Sequence, residues 1–122
     1  MEDERLKNKH YIDSWKNGFK GIWYCIKTQT NIKIQLVIAV IVITCGIVFK
    51  VNVIDWIFLT FATLLVIITE IMNTAVEEAV NLCTQEFHPI AKIAKDVAAG
   101  AVVLSAINAV IVAFLIFLNK II

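Results

Sequence analysis

Long apolar stretches separated by short polar segments dominate the chain after its first third. Uncharged runs cover residues 34–49, 56–69 and 97–118. A helix rises about 1.5 Å per residue, so about 20 apolar residues cross one hydrocarbon core. The pattern therefore predicts three transmembrane helices, over about 32–50, 53–83 and 90–119. The second is longer than a bilayer requires, and its polar second part should leave the membrane as helix.

The first third of the chain has a different, amphipathic pattern. An aromatic-rich stripe recurs at helical spacing with basic residues beside it: Trp15, Phe19, Ile22, Trp23 and Ile26, flanked by Lys16, Lys20 and Lys27. This pattern predicts a surface helix over 11–28 that lies in the headgroup region. An ordinary helix packed on the protein fits the same pattern. Residues 1–10 are highly polar, and we expect them to fray.

The composition is that of a membrane protein. The 122 residues are 60% hydrophobic with a mean hydropathy of +0.83, whereas a soluble domain is about 45–50% apolar. We therefore predict an all-α membrane protein with an N-terminal amphipathic surface helix and three transmembrane helices. The chain has room for a single membrane-embedded domain, over residues 1–122. Its net charge is only +1, and no nucleic-acid partner is expected.

The distribution of lysines predicts the orientation in the membrane. Most lysines lie before the first apolar run, two more follow the second run, and only Lys50 lies between the first two runs. Because cytoplasmic loops carry the excess of Lys and Arg, the N-terminus and the 84–95 loop should be cytoplasmic. The turn at 50–55 and the C-terminus should then face outward.

The second predicted span carries polar side chains on one face. Glu70, Asn73, Thr74 and Glu77 follow one another at the i, i+3, i+4 and i+7 positions of a helix. An ionisable group at membrane depth is a functional-site hypothesis. Two carboxylates can ligate Mg²⁺, which binds one or two carboxylates together with substrate phosphates. A carboxylate at this depth, Glu70, suits a general base for a lipid hydroxyl.

The pattern alone leaves other functions open. Such carboxylates also pair with lysines to fix helix register, and they occur in proton-coupled transporters and channels. The sequence excludes two other kinds of site, a P-loop nucleotide site and a zinc site, more firmly. The chain has no G-x-x-x-x-G-K-[ST] loop, and its two histidines stand far apart without the spacing of a zinc site.

Three segments together resemble a known family. They are Glu70-Ile-Met-Asn73-Thr74-Ala-Val-Glu77, Glu86-Phe87-His88-Pro89 and Ala94-Lys95-Asp96-Val-Ala-Ala-Gly-Ala101. Their joint occurrence, with three spans, is similar to the small integral-membrane diacylglycerol kinases of bacteria. The His-Pro-x-Ala-Lys-x-Ala-Lys-Asp wording resembles the Gram-positive branch, whose members phosphorylate undecaprenol at least as well as diacylglycerol.

The resemblance implies an ATP- and Mg²⁺-dependent lipid kinase in the bacterial cell membrane. It implies a homotrimer with composite sites between protomers at the cytoplasmic interface. In that scheme Glu70 takes the proton of the lipid hydroxyl, Asn73 positions the reacting groups and Glu77 binds Mg²⁺ carried by ATP. Lys95 contacts the ATP phosphates, and Asp96 helps to hold the nucleotide.

Further residues are assigned by the same resemblance. Glu86, Phe87 and His88 form a turn that holds the nucleotide, and Ala99 lies near the lipid headgroup. Two positions depart from the family's usual pattern, because Gln29 and Asn81 replace a glutamate and an aspartate. The glutamate that Gln29 replaces normally joins Glu77 at the metal and at the nucleotide. The alternative hypothesis is therefore a catalytically attenuated relative that still binds lipid or nucleotide.

Overall fold

The computed structural model describes residues 1–122, and the chain is almost entirely helical. Four helices follow one another: α1 (Glu2–Thr28), α2 (Thr30–Val48), α3 (Val53–Cys83) and α4 (Pro89–Ile121). The last three are long and apolar enough to cross a membrane. The predicted all-α architecture with three membrane-spanning helices is therefore confirmed.

The first helix is longer than the sequence pattern predicted. It begins at Glu2 rather than near Tyr11, so the expectation that residues 1–10 fray was wrong. The first turn holds Glu2, Asp3 and Glu4, and acidic side chains there interact favourably with the positive end of the helix dipole. No glycine or proline precedes Gly18. The helix therefore extends back through a polar segment whose residues are compatible with it.

The second helix ends two residues earlier than its predicted limit at Lys50. Lys50 has a positive φ of 53°, which places it in the left-handed region that commonly ends helices. Its N–H donates to the carbonyl of Ile47, and the N–H of Val51 donates to the carbonyl of Gly46. These two bonds form the Schellman arrangement, which satisfies the last carbonyls of a helix. The chain then turns directly into α3.

The starts of the two long helices are set by side-chain caps. Oδ1 of Asn52 accepts a hydrogen bond from the Asp55 N–H at 2.8 Å, as an N-cap side chain does. Nδ1 of His88 accepts from the Ile90 N–H at 3.1 Å. Pro89 is the first residue of α4, where its missing N–H costs nothing. Helix α3 has the bounds given by the sequence pattern, and α4 runs slightly beyond 90–119 at both ends.

The four helices do not form an equally packed bundle. Helices α3 and α4 pack along each other, and α2 packs on α3. Helix α1 makes few contacts with α2 and α3. Oγ1 of Thr69 and Oγ of Ser105 lie 2.9 Å apart and join α3 to α4. Most apolar side chains on the spanning helices are exposed. This surface is available to lipid or to other copies of the chain.

Candidate active site

Three neighbouring polar side chains on α3 are buried. The exposed fractions are 2% for Glu70, 7% for Asn73 and 2% for Thr74. The Thr74 hydroxyl donates to the carbonyl of Glu70 at 3.0 Å, which satisfies it within its own helix. Because buried polar groups are costly unless they are hydrogen-bonded, the partners of Glu70 and Asn73 decide what this face can do.

The carboxylate of Glu70 is held by a residue of another helix. Nε2 of Gln35 in α2 donates to Oε2 of Glu70 at 3.4 Å, a long hydrogen bond. Oε1 of Gln35 is buried and has no hydrogen-bond partner. The site therefore contains a carboxylate with one amide donor and, beside it, a free acceptor. A ligand hydroxyl has one proton and could donate it to either of these acceptors.

A second pair lies one turn further along α3. Nδ2 of Asn73 donates to Oε1 of Glu77 at 3.2 Å, while Oδ1 of Asn73 is buried without a partner. No group of three or more His, Cys, Asp and Glu side chains could hold a metal ion. The Asn73 and Glu77 oxygens therefore fit Mg²⁺ only as part of a set completed by water and substrate phosphate, which is how this ion usually binds.

Gln29 lies at the junction between α1 and α2. Its backbone is extended, with φ −103° and ψ 117°, and its side chain is half-buried. Its Nε2 donates to Oγ1 of Thr28 at 3.5 Å. The amide makes no hydrogen bond with Glu77 in the single chain, so the part of Gln29 in a metal site stays a prediction.

Five of the residues assigned to the nucleotide line one cleft, while Gln29 and Glu77 are not among its lining residues. A cleft of about 480 Å³ lies between the end of α3, the α3–α4 loop and the start of α4. It is lined by the predicted residues Glu86, Phe87, His88, Lys95 and Asp96, and by Asn81. Residues of the second and third motif segments, on the α3–α4 loop and the start of α4, therefore share this single concave surface.

The charged groups of this cleft are partly paired. Nζ of Lys95 donates to Oδ1 of Asn81 at 2.7 Å, so its partner is neutral. Nζ of Lys92 lies 2.6 Å from Oδ2 of Asp96, and both side chains are more than half exposed. Such an exposed ion pair is weak. Lys95 therefore keeps an uncompensated positive charge at the wall of the cleft, where phosphate groups could reach it.

The remaining predicted residue, Ala99, is exposed on α4 one turn beyond Lys95. Glu78 lies off the buried face, where its Oε1 accepts a hydrogen bond of 3.4 Å from the hydroxyl of Tyr24 in α1. This bond links the surface helix to α3 beside the site.

Sequence reasoning missed both Tyr24 and Gln35. The signal for Gln35 was an amide inside an otherwise apolar span.

These features describe an integral membrane protein with a polar site where a spanning helix meets a solvent-accessible cleft. A family model described as prokaryotic diacylglycerol kinase matches residues 16–117. The match covers most of the chain. The chain belongs to the prokaryotic diacylglycerol kinase family, and it is a lipid kinase of the bacterial membrane.

Curated relatives agree with this assignment. An undecaprenol kinase from Bacillus subtilis (strain 168) is 34% identical over 119 residues, which cover 98% of this chain and 97% of the relative. A diacylglycerol kinase from Synechocystis sp. is 43% identical over 100 residues, but the aligned part is only 57% of that protein. A diacylglycerol kinase from Escherichia coli (strain K12) is 34% identical over 98 residues, covering 80% of this chain and 77% of the relative.

Proposed function

We propose that the protein transfers the γ-phosphoryl group of ATP to undecaprenol at the cytoplasmic face of the membrane. The relative named undecaprenol kinase aligns over nearly its entire length with this chain, which favours undecaprenol over diacylglycerol. The observation that carries the proposal is the position of Glu70. This carboxylate is 2% exposed and belongs to a spanning helix whose polar end borders the Lys95 cleft.

The reaction needs a base next to the lipid and a binding site for phosphates on the aqueous side. Glu70 accepts the proton of the lipid hydroxyl as the hydroxyl oxygen bonds to the γ-phosphorus. The bond between that phosphorus and the bridging oxygen breaks, and ADP leaves with the electron pair. Phosphoryl transfer depends mainly on positioning and on charge stabilisation, which the amides of Gln35 and Asn73 and the charge of Lys95 provide.

The oxygens beside Glu70 suit the metal that accompanies ATP. Glu77 and the free Oδ1 of Asn73 would hold Mg²⁺, which neutralises the phosphate charge when bound. The bond from Asn73 Nδ2 to Glu77 keeps this carboxylate on the same face as Glu70. The two carboxylates therefore have different tasks, one accepting a proton and the other ligating the cation.

The cleft between α3 and α4 would receive the nucleotide. Lys95 contacts the phosphates, and Asp96 and the turn at 86–88 hold the rest of ATP. The volume of about 480 Å³ is in the range of small-molecule sites. His88 uses Nδ1 to cap α4, so Nε2 is the ring nitrogen left to bond a ligand.

Orientation and assembly follow from the distribution of polar groups. The lysine bias supports an orientation in which the N-terminus, the cleft and its bound ATP are cytoplasmic. Asn108 is exposed in the middle of the apolar run of α4, where lipid cannot satisfy an amide. This residue supports association of α4 with other copies, and we propose the homotrimer implied by the family resemblance.

The direct test uses purified protein in detergent micelles with ATP, Mg²⁺ and one lipid at a time. Undecaprenol should be phosphorylated with a higher kcat/KM than diacylglycerol. The reverse preference would overturn the substrate assignment while leaving the lipid kinase intact. Absence of product with either lipid, from protein shown to be folded and helical, would overturn the proposed reaction.

Gln29 and Asn81 favour a second function, because the family usually has carboxylates at these two positions. An attenuated relative would bind lipid and nucleotide with little turnover. Restoring one charge with Gln29→Glu separates the two cases, with Gln29→Leu as the matched control. A large rise in turnover in Gln29→Glu would show that the natural site is attenuated. An unchanged rate would show that this chain does not need the carboxylate.

A further inference from the structure

Helix α1 is attached to the rest of the chain near its carboxyl end. Every residue before Cys25 is exposed, and Cys25 is the one buried residue of this helix. The phenolic hydroxyl of Tyr24 donates to Oε1 of Glu78 in α3 at 3.4 Å. No other hydrogen bond or ion pair joins α1 to another helix. The Tyr24 bond is therefore the polar contact that fixes the end of α1 on α3.

Two further hydrogen bonds connect Tyr24 to Gln29. The hydroxyl of Thr28 donates to the carbonyl of Tyr24, four residues earlier in the helix, at 2.7 Å. Nε2 of Gln29 donates to Oγ1 of Thr28 at 3.5 Å, a long hydrogen bond. A hydroxyl has a single proton, and Thr28 gives its proton to the carbonyl, so its oxygen can only accept from Gln29. Thr28 therefore selects the NH₂ end of the amide and leaves Oε1 of Gln29 available.

The orientation of the side chain at position 29 matters because this residue is an amide. A carboxylate presents an oxygen whichever way it turns, whereas an amide has one oxygen and one NH₂ group. Mg²⁺ takes oxygen ligands, so an amide turned the wrong way would direct protons towards the cation. Gln29, which stands where the family usually has a glutamate, therefore needs a partner that fixes which end is free.

We propose that Tyr24 and Thr28 are positioning residues that hold the Gln29 oxygen ready for the Mg²⁺ that accompanies the nucleotide. The inference rests on the proposed function for the identity of this cation. The two residues act in series. Tyr24 fixes the end of α1 through Glu78, which directly follows the proposed metal ligand Glu77 in α3. Thr28 then fixes the orientation of the amide, so the loss of either hydroxyl should have the same effect.

The test observes the Gln29 side chain itself and does not depend on catalysis. The full-length chain has only three glutamines, Gln29, Gln35 and Gln85. Selective ¹⁵N labelling of glutamine side chains in micelles therefore gives an NMR spectrum with three amide groups. Gln29→Leu identifies the Gln29 signal by its absence. Titration with Mg²⁺ and a non-hydrolysable ATP analogue should shift this signal and gives the Kd of the complex.

Two variants remove one hydroxyl each and keep the shape of the side chain. In Tyr24→Phe and in Thr28→Val the Kd should rise about two- to tenfold, as expected for the loss of one hydrogen bond. The Gln29 signal of the free protein should also move in both. Tyr11→Phe changes the other tyrosine of α1, which is exposed, and is the matched control that should bind as wild type does.

A rescue experiment separates positioning from a general effect on stability. Glu78→Gln keeps an oxygen that accepts from Tyr24 and should retain most of the affinity. Glu78→Ala removes this acceptor and should match Tyr24→Phe. The double variant of Tyr24→Phe with Glu78→Ala should bind no more weakly than either single variant, because both changes break the same bond.

The outcomes distinguish this inference from the proposed function. A Gln29 signal that does not respond to Mg²⁺ and the analogue, or a wild-type Kd in Tyr24→Phe, would overturn the positioning role even if the protein phosphorylates undecaprenol. A Gln29 response without any lipid product would overturn the proposed reaction and leave the positioning role. If Tyr24→Phe does not fold, Thr28→Val tests the same series of bonds, and a wild-type Kd there would overturn it.

Discussion

Nζ of Lys95 and Oδ1 of Asn81 lie 2.7 Å apart and connect the end of α3 to the start of α4. The family's usual aspartate at position 81 would form an ion pair here. With asparagine, the lysine keeps a hydrogen bond that fixes its position, and its charge stays uncompensated. Asparagine at position 81 therefore changes the electrostatics of the cleft and keeps an oxygen that binds Lys95.

The first prediction concerns this pair. Asn81→Asp should raise the KM for ATP a few-fold, because the new carboxylate competes with phosphate for Lys95 and an exposed pair contributes about 0.2–1 kcal/mol. Steady-state kinetics at low and high salt would measure the effect, which screening should reduce. Asn81→Ala is the control, and it should not raise the KM through charge. A lower KM in Asn81→Asp would contradict this account and favour the attenuated alternative.

The second prediction concerns the metal requirement. Glu77→Gln should shift the Mg²⁺ concentration for half-maximal rate upward by roughly 10- to 100-fold, since a lost charged contact costs about 1.5–3 kcal/mol. A Mg²⁺ titration at fixed ATP measures this shift. The exposed neighbour Glu78, which bonds to Tyr24, provides the matched substitution Glu78→Gln. Equal shifts in the two variants would mean that Glu77 has no special role at the metal.

The third prediction concerns the contact that sets α3 beside α4. Thr69→Val and Ser105→Ala each remove one hydroxyl of the 2.9 Å pair. Their effects on the free energy of unfolding should be coupled by about 0.6 kcal/mol, the mean for interhelical hydrogen bonds in membranes. A double-mutant cycle measured by SDS titration gives this coupling. Strict additivity would show that the two hydroxyls are satisfied by their own helices, through Val66 and Val102.

Much of this fold could be predicted because the sequence marks it locally. Uncharged runs mark the spans, and Pro89 marks the start of α4. The polar face of α3 follows from the 3.6-residue period alone. The start of α1 could not be predicted as well, because highly polar residues are compatible with a helix and with a disordered end alike.

The site was harder to predict from the sequence because it depends on contacts between helices. Gln35 is one of two amides in α2, with no periodic pattern to distinguish it, and only the packing of α2 on α3 places it at Glu70. The contact between Asn81 and Lys95 likewise requires the α3–α4 turn to bring the two residues together. Periodicity describes one helix at a time, and tertiary packing determines which faces meet.

The fourth prediction concerns assembly. Asn108→Val should weaken association of the chains, because interhelical hydrogen bonds of such residues contribute about 1–2 kcal/mol in model peptides. Native mass spectrometry in detergent would show the loss of the larger species. Ile111→Val, also on the exposed surface of α4, controls for the change in side-chain volume. Unchanged assembly in Asn108→Val would mean that Asn108 does not lie between protomers.

The measurement that tests the account most directly is the rate of undecaprenol phosphorylation by Glu70→Gln at saturating Mg²⁺ and ATP. The substitution keeps the shape of the side chain and removes the proton acceptor. A general base contributes about 10²–10⁴-fold to the rate, so kcat should fall by about that factor while binding of ATP is retained. A kcat close to that of the wild type, in protein that still binds ATP, would contradict the role of the buried carboxylate.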